Sequence, residues 1–129
     1  MSIKHPVISV TGSSCAGTTS VKRTFERIFK RESINAAYIE GDAFHRYDRK
    51  EMKRVMKAEA EQGNNHFSHF GPEANQLEAL ESVFRDFGES GTGRLRHYVH
   101  DEEEAKLYGT APGTFSDWEE IPQDTELLF

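Results

Sequence analysis

Gly12 and Gly17 are separated by four residues, and Thr18-Thr19 follow at once. This matches the phosphate-cradling pattern G-x-x-x-x-G-K-[ST] at every defined position except the lysine, which is Thr18 here. Such a loop works through successive backbone N–H groups that converge on phosphate oxygens at a helix N-terminus, where the dipole adds partial positive charge. Gly12, Ser13, Ser14, Cys15, Ala16, Gly17, Thr18, Thr19 and Ser20 are therefore expected to hold a phosphate, that of ATP if the chain is a kinase, with the Thr19 hydroxyl as the expected Mg²⁺ ligand; the alternative is an ordinary Gly-rich turn between a strand and a helix. The missing ammonium must be replaced by another cation if a phosphoryl group is to be transferred.

A second chemical signal lies in Gly41-Asp42-Ala43-Phe44-His45-Arg46-Tyr47-Asp48-Arg49. An Asp just past a strand end suits the base of a small-alcohol kinase, which must orient an acceptor hydroxyl and take its proton. Asp42 is alternatively a helix cap, a role that Asp48 fills better. His45 and Arg49 are four apart, as phosphate donors on one side of a turn or as members of a surface salt-bridge face.

These residues need elements to hold them. The β-branched run Val7–Thr11 predicts a strand, the small residues after it a loop, and Val21, Phe25, Ile28 and Phe29 an amphipathic helix from near Thr19. Ala36–Glu40 reads as a second strand, so the order implies a βαβ unit with the loop and Asp42 at one edge of a parallel sheet. Lys50–Gln62 reads as a helix through Met52, Val55 and Met56, closed by Gly63, with its basic residues bordering a site or simply solvated. Another helix is expected from Pro72-Glu73 to Gly88, with Leu77, Leu80, Val83, Phe84 and Phe87 as its core stripe. Gly91–His100 predicts a strand and a loop in which Arg94 and Arg96 approach phosphate, and Asp101 opens a short acidic helix toward Tyr108. His66-x2-His69 and His97-x2-His100 lack the spacing that sets two imidazoles on one helical face, which speaks against a zinc site.

With 129 residues the chain has room for one domain, spanning 1–129, and no internal linker is evident. Leu, Ile, Val and Phe make up only about a fifth of it, a thin core for the length. The net charge of −6 conceals two halves: Met1–Lys57 carries 12 Lys/Arg against 6 Asp/Glu, and the remainder 4 against 16. A basic half beside a glycine-rich loop suits a nucleotide or sugar phosphate, while the overall acidity argues against general nucleic-acid binding. No apolar stretch has the length of a membrane span, the N-terminus lacks a secretory h-region, and the single cysteine excludes an internal disulfide. A cytoplasmic protein is expected.

The sequence resembles the bacterial-type phosphoribulokinases along its whole length. The segments that carry this are Ser9–Ser14 with Ala16–Thr19, Glu40–Arg46, Ser68–Asn75, Tyr98–Asp101 and Pro112–Phe115. Thr in place of the loop lysine is itself a feature of that family. The resemblance implies an α/β P-loop kinase fold, a parallel-containing sheet flanked by helices, and ATP-dependent phosphorylation of ribulose 5-phosphate at its C1 hydroxyl in the Calvin cycle. It implies Asp42 as general base, His45, Arg49 and His100 as substrate residues, and Arg31 as part of an NADH effector site. A homo-oligomer is implied as well. Cys15 stands where bacterial members commonly have glycine, as a tolerated small residue or a reactive thiol. Members continue well past Thr125–Phe129, which looks like the start of a central strand, so the fold is expected to be incomplete here. The continuation is expected to supply an acidic Mg²⁺ ligand and phosphate-binding Lys and Arg residues, so that activity depends on it. Two other readings stand beside this one: another P-loop small-molecule kinase, such as a uridine kinase relative, and a non-catalytic nucleotide-binding module in which Asp42 is idle.

Overall fold

The computed structural model describes residues 3–13 and 15–129. Its contacts divide the chain into two compact units, each assembled from separate stretches: residues 1–38, 84–93 and 120–129 in the first, 39–83 and 94–119 in the second.

The first unit is built around a short parallel sheet. Strands β1 (Ala36–Ala37) and β4 (Leu127–Leu128) pair in parallel, Ala36 opposite Leu127 and Ala37 opposite Leu128. Val7 forms a parallel bridge to Leu128 from the other side; Ile8 N donates to Leu128 O at 2.8 Å and Leu128 N to Pro6 O at 3.0 Å. β4 therefore lies between the N-terminal segment and β1, and the first two strands of the expected βαβ unit are not direct neighbours. Of the expected strand Val7–Thr11, only Val7 is bridged. Leu127 and Leu128 point to opposite faces and are both buried, so both faces of this strand are covered.

Helix α1 (Thr18–Arg31) begins one residue before the expected Thr19. It sets Phe25 and Phe29 against Phe129, with ring centroids 5.0 and 5.7 Å apart, and Tyr38 joins the cluster 6.0 Å from Phe129. Val21 and Ile28, the margins of the predicted stripe, stay exposed. The C-terminal half of α3 (Leu77–Ser90) also belongs to this unit and buries Phe87, on whose ring His5 packs edge-on. That helix continues through Gly88 and closes at Gly91, where φ is +71° and a Cβ would fall 2.6 Å from the His5 ring. Only glycine fits that position without displacing the ring.

In the second unit a 3₁₀ turn (Gly41–Phe44) buries Ala43 and Phe44 and leaves Asp42 at the surface. Arg96 holds that turn from below. Its Nε donates to Ala43 O at 2.7 Å and its Nη2 to His45 O at 3.1 Å, while the guanidinium lies over the Phe115 and Trp118 rings. Arg96, expected near phosphate, thus has a structural role: two of its N–H groups are given to carbonyls, and its guanidinium lies against two aromatic rings. Helix α2 (Arg49–Glu61) starts with a capping box, Asp48 accepting from Glu51 N at 2.8 Å and Glu51 reaching back to Asp48 N. Its Met52 is buried, and Lys50, Lys53, Arg54 and Lys57 form a solvated face.

The helix expected from Pro72-Glu73 begins only at Leu77. Pro72–Ala74 form a turn, and Asn75 is drawn into an antiparallel bridge with His45, which a helical backbone could not make. Leu77, at the very start of the helix, is exposed instead of core. Further on come β2 (Arg94–Leu95), α4 (Glu102–Tyr108) capped by Asp101, which accepts from Glu103 N and Glu104 N, and β3 (Glu119–Glu120). An antiparallel bridge joins Tyr98 to Phe115. No helix among the described residues is long and apolar enough to cross a membrane.

Candidate functional site

The glycine-rich loop of the first unit is built by its backbone. Gly17, at φ +86°, is the N-cap of α1 and contributes no side-chain cap; Ser20 N and Val21 N donate to its carbonyl. Ala16 N closes a tight turn on Ser13 O at 3.0 Å, and Cys15 adopts φ +65°. This left-handed conformation favours glycine and is strained in a residue with a Cβ. A Cβ at Gly12 would meet Ala16 Cβ at 3.0 Å and Thr18 Cγ2 at 3.2 Å, so the close fold of the loop favours a residue without one. Gly12, Ser13, Cys15, Ala16, Gly17, Thr18, Thr19 and Ser20 are all exposed; Ser14 lies outside the described residues. A fourteen-residue helix with no acidic side chain in its first turn thus presents its positive end through a glycine cap to whatever the loop holds. Thr19, the second residue of α1, offers a surface hydroxyl of the kind Mg²⁺ accepts. Arg31 lies in the last turn of the same helix, three-quarters exposed, with Nε donating to Glu32 Oε1 at 2.7 Å.

In the second unit, side chains from four stretches of sequence meet around Asp42. His45 Nε2 lies 3.4 Å from Asp42 Oδ1 and His100 Nε2 lies 3.3 Å from Asp42 Oδ2, so each carboxylate oxygen faces one imidazole. Each imidazole is held from behind as well: His45 Nδ1 lies 2.7 Å from Asn75 Oδ1, and His100 Nδ1 lies 3.0 Å from Glu104 Oε2. The Tyr98 ring stands edge-on to both imidazoles, and Arg49, the first residue of α2, donates from Nη2 to His100 O at 3.0 Å with its guanidinium near the Tyr98 ring. The sequence-predicted Asp42, His45, Arg49 and His100 are therefore brought together.

Electrostatics follow from this geometry. The hydrogen bond from His45, reinforced by His100 and opposed by partial burial, holds the Asp42 carboxyl down to about 2. Asp42 in turn raises the His45 imidazole, against burial and with help from Asn75. Burial acts to lower the His100 imidazole but is outweighed by Glu104 and Asp42, so its pKa too lies above the ordinary value. The result is a carboxylate flanked by two imidazolium-favouring rings, with a guanidinium alongside. Such a cluster keeps the Asp42 carboxylate ionised at neutral pH, with basic side chains on either side of it.

Sequence reasoning missed Asn75, Tyr98 and Glu104 as members. Glu104 was legible in part: Asp101-Glu102-Glu103-Glu104 has the spacing of a capping box, and Glu104 does reach back, to His100 N at 2.7 Å. Asn75 carried no local signal, since it meets a histidine thirty residues away. Among the described residues, no group of three or more His, Cys, Asp or Glu side chains has the arrangement of a metal site.

The model of the Phosphoribulokinase / Uridine kinase family matches residues 7–129. The chain belongs to that family. The phosphoribulokinase of Xanthobacter flavus is 65% identical over 129 residues, covering 100% of this chain and 44% of the relative. That of Nitrobacter vulgaris is 63% identical over 126 residues, covering 98% and 43%. The solved structure of the phosphoribulokinase from Rhodobacter spheroides superposes with a TM-score of 0.84 at 51% identity, over 98% of this chain and 42% of that one. This family member thus has the α/β P-loop kinase fold, and it spans under half the length of these relatives.

Proposed function

We propose that this chain carries the nucleotide loop and the acceptor site of a kinase that transfers the γ-phosphoryl group of ATP to the C1 hydroxyl of ribulose 5-phosphate, yielding ribulose 1,5-bisphosphate and ADP. The observation that carries this reading is the carboxylate of Asp42 held between His45 and His100 with Arg49 beside them. An acceptor that already bears a phosphate needs cationic donors, and a hydroxyl that attacks phosphorus needs a carboxylate to take its proton; this cluster has both. An uncharged acceptor such as uridine has less use for two imidazoles and a guanidinium. The near relatives named above are phosphoribulokinases, which favours the sugar phosphate further.

In this reading the amides of 12–20 bind the ATP phosphates, and Thr19 is a ligand of Mg²⁺, which when bound neutralises charge on those phosphates. His45, Arg49 and His100 hold the phosphate of the sugar. Taking up that anion draws imidazolium N–H groups away from Asp42, which raises the basicity of its carboxylate when the hydroxyl arrives. Asp42 accepts the hydroxyl proton, the oxygen–phosphorus bond forms, and the bond from the γ-phosphorus to the β–γ bridging oxygen breaks. With Thr18 where a lysine is usual, the balancing cations come from residues beyond this chain. We further assign the chain to part of a single kinase domain in a cytoplasmic homo-oligomer, with Arg31 contributing to NADH response; the resemblance to bacterial-type phosphoribulokinases supports these.

The test is ADP release from MgATP with ribulose 5-phosphate, ribulose or uridine as acceptor, using this chain and the same residues within a chain of the relatives' full length. Activity of the longer form with ribulose 5-phosphate alone is the expected outcome. Activity with uridine, or ATP binding with no acceptor response, overturns the assignment in favour of a nucleoside kinase or a binding module.

A further inference from the structure

The side chain behind His45 decides which nitrogen of that ring carries a proton. Asn75 is buried, 8% exposed, and its carboxamide is committed on three sides. Nδ2 donates to His69 O at 2.7 Å and to Gly71 O at 2.9 Å, while Oδ1 lies 2.7 Å from His45 Nδ1. Both amide hydrogens are thereby used. Flipping the amide would set its oxygen against two carbonyl oxygens, so the orientation is dictated and Oδ1 is an acceptor. His45 Nδ1 must then be the donor. The backbone frames this contact: Arg46 N donates to Ala74 O at 2.8 Å and Gln76 N to Phe44 O at 2.7 Å, on either side of the His45–Asn75 bridge.

With Nδ1 holding a hydrogen, a neutral His45 would turn the lone pair of Nε2 toward the Asp42 carboxylate. That is repulsive, and protonation of Nε2 relieves it. Without the Asn75 acceptor, the ring could remain neutral and still donate to Asp42 from Nε2. We propose that Asn75 is a positioning residue for the acceptor site: it excludes the neutral Nε2–H tautomer of His45 and thereby makes this ring a cation in contact with Asp42. The inference rests on the reading of the cluster as a sugar-phosphate site for its consequence, but not for its tautomer. The other groups facing His45 are Asp42 on its own turn, the Arg96 guanidinium, which opposes its charge, and the Tyr98 ring; His100 acts through Asp42.

The test is ¹⁵N-histidine NMR of this chain between about pH 5 and 8, on the parent and on Asn75→Leu and Asn75→Asp. In the parent, the neutral His45 ring should carry its hydrogen on Nδ1. Asn75→Leu should convert it to the Nε2–H tautomer and move its titration midpoint down, whereas Asn75→Asp should keep Nδ1–H and move the midpoint up. Unchanged His100 signals report an intact cluster. An Nδ1–H tautomer that survives in Asn75→Leu overturns the inference. If that variant does not fold, Asn75→Asp decides alone, and a midpoint that stays or falls has the same force. In the longer form, Asn75→Leu should raise KM for ribulose 5-phosphate roughly tenfold, the scale of one charge-assisted hydrogen bond, with a smaller change in kcat. A switched tautomer with unchanged KM severs the link to the acceptor. A switched tautomer in a protein that does not phosphorylate ribulose 5-phosphate sinks the functional reading and leaves the assignment of the tautomer standing.

Discussion

The loop at residues 12–20 and the cluster around Asp42 are made from different parts of the chain. The loop is contiguous, exposed and shaped by backbone: a glycine cap at φ +86°, a cysteine at φ +65°, a tight turn, and a helix start. The cluster is assembled from side chains at residues 42, 45, 49, 75, 98, 100 and 104, and each titratable member is tied to at least one other. Amide groups are present whatever the side chain, so apart from Gly12, where a Cβ is crowded, and the Thr19 hydroxyl, the loop should tolerate side-chain changes that preserve its dihedral angles. The cluster should not, because removing one partner leaves another with an unsatisfied charge.

The largest expected effect tests that contrast directly. Asp42→Asn is nearly isosteric and removes the proton acceptor, so kcat for sugar phosphorylation in the longer form should fall about 10³-fold, the middle of the range for a general base. Nucleotide affinity, measured by titration calorimetry, should remain as in the parent. A parallel loss of ATP binding would break the comparison, since the carboxylate would then belong to both sites.

A smaller effect concerns pH. Asp42 has its pKa lowered to about 2, so its contribution to stability is present above its ordinary value of 3.8 and fades as pH falls toward 2. His45 and His100 are raised, so theirs is complete below the ordinary 6.5 and fades as pH climbs through the raised values. Urea midpoints should therefore be highest between roughly pH 4 and 6.5. More than half of the Asp42 side chain is solvent-exposed, and screening limits the acidic limb to about 1 kcal/mol. His45→Gln with His100→Gln should remove the alkaline decline, and a decline that persists would assign it to other groups.

The mildest change addresses the loop. Cys15→Gly relieves a left-handed conformation in a residue with a Cβ, and folding stability should rise by up to about 1 kcal/mol, read from thermal or urea unfolding. Loss of stability would mean that the thiol makes contacts worth more than the backbone strain.

Where the sequence was legible, the signal lay within a few residues. The start of α1, the Asp48 cap of α2 and the Asp101 cap of α4 were read to within one position, because a cap and an apolar period act over a single turn. The local pattern points to a helix stop at Gly88, but Gly88 is tolerated inside the helix, whereas Gly91 is needed where the His5 ring comes close, a contact invisible in that pattern. Arg96 illustrates the same limit. As a basic residue near a suspected phosphate site it suggested an anion, and only the folded chain commits its donors to Ala43 O and His45 O.

Spacing and local pattern by themselves determined that a glycine-rich loop opens α1 and that Asp42 follows the next strand. Tertiary structure alone decided that β4 separates the N-terminal segment from β1, that Asn75 binds His45, and that His100 reaches Asp42. The reason is one of range. Caps, turns and periodicity are settled among neighbours in the chain, whereas a hydrogen bond between residues thirty or more apart exists only after the intervening chain has been folded and its loop entropy overcome.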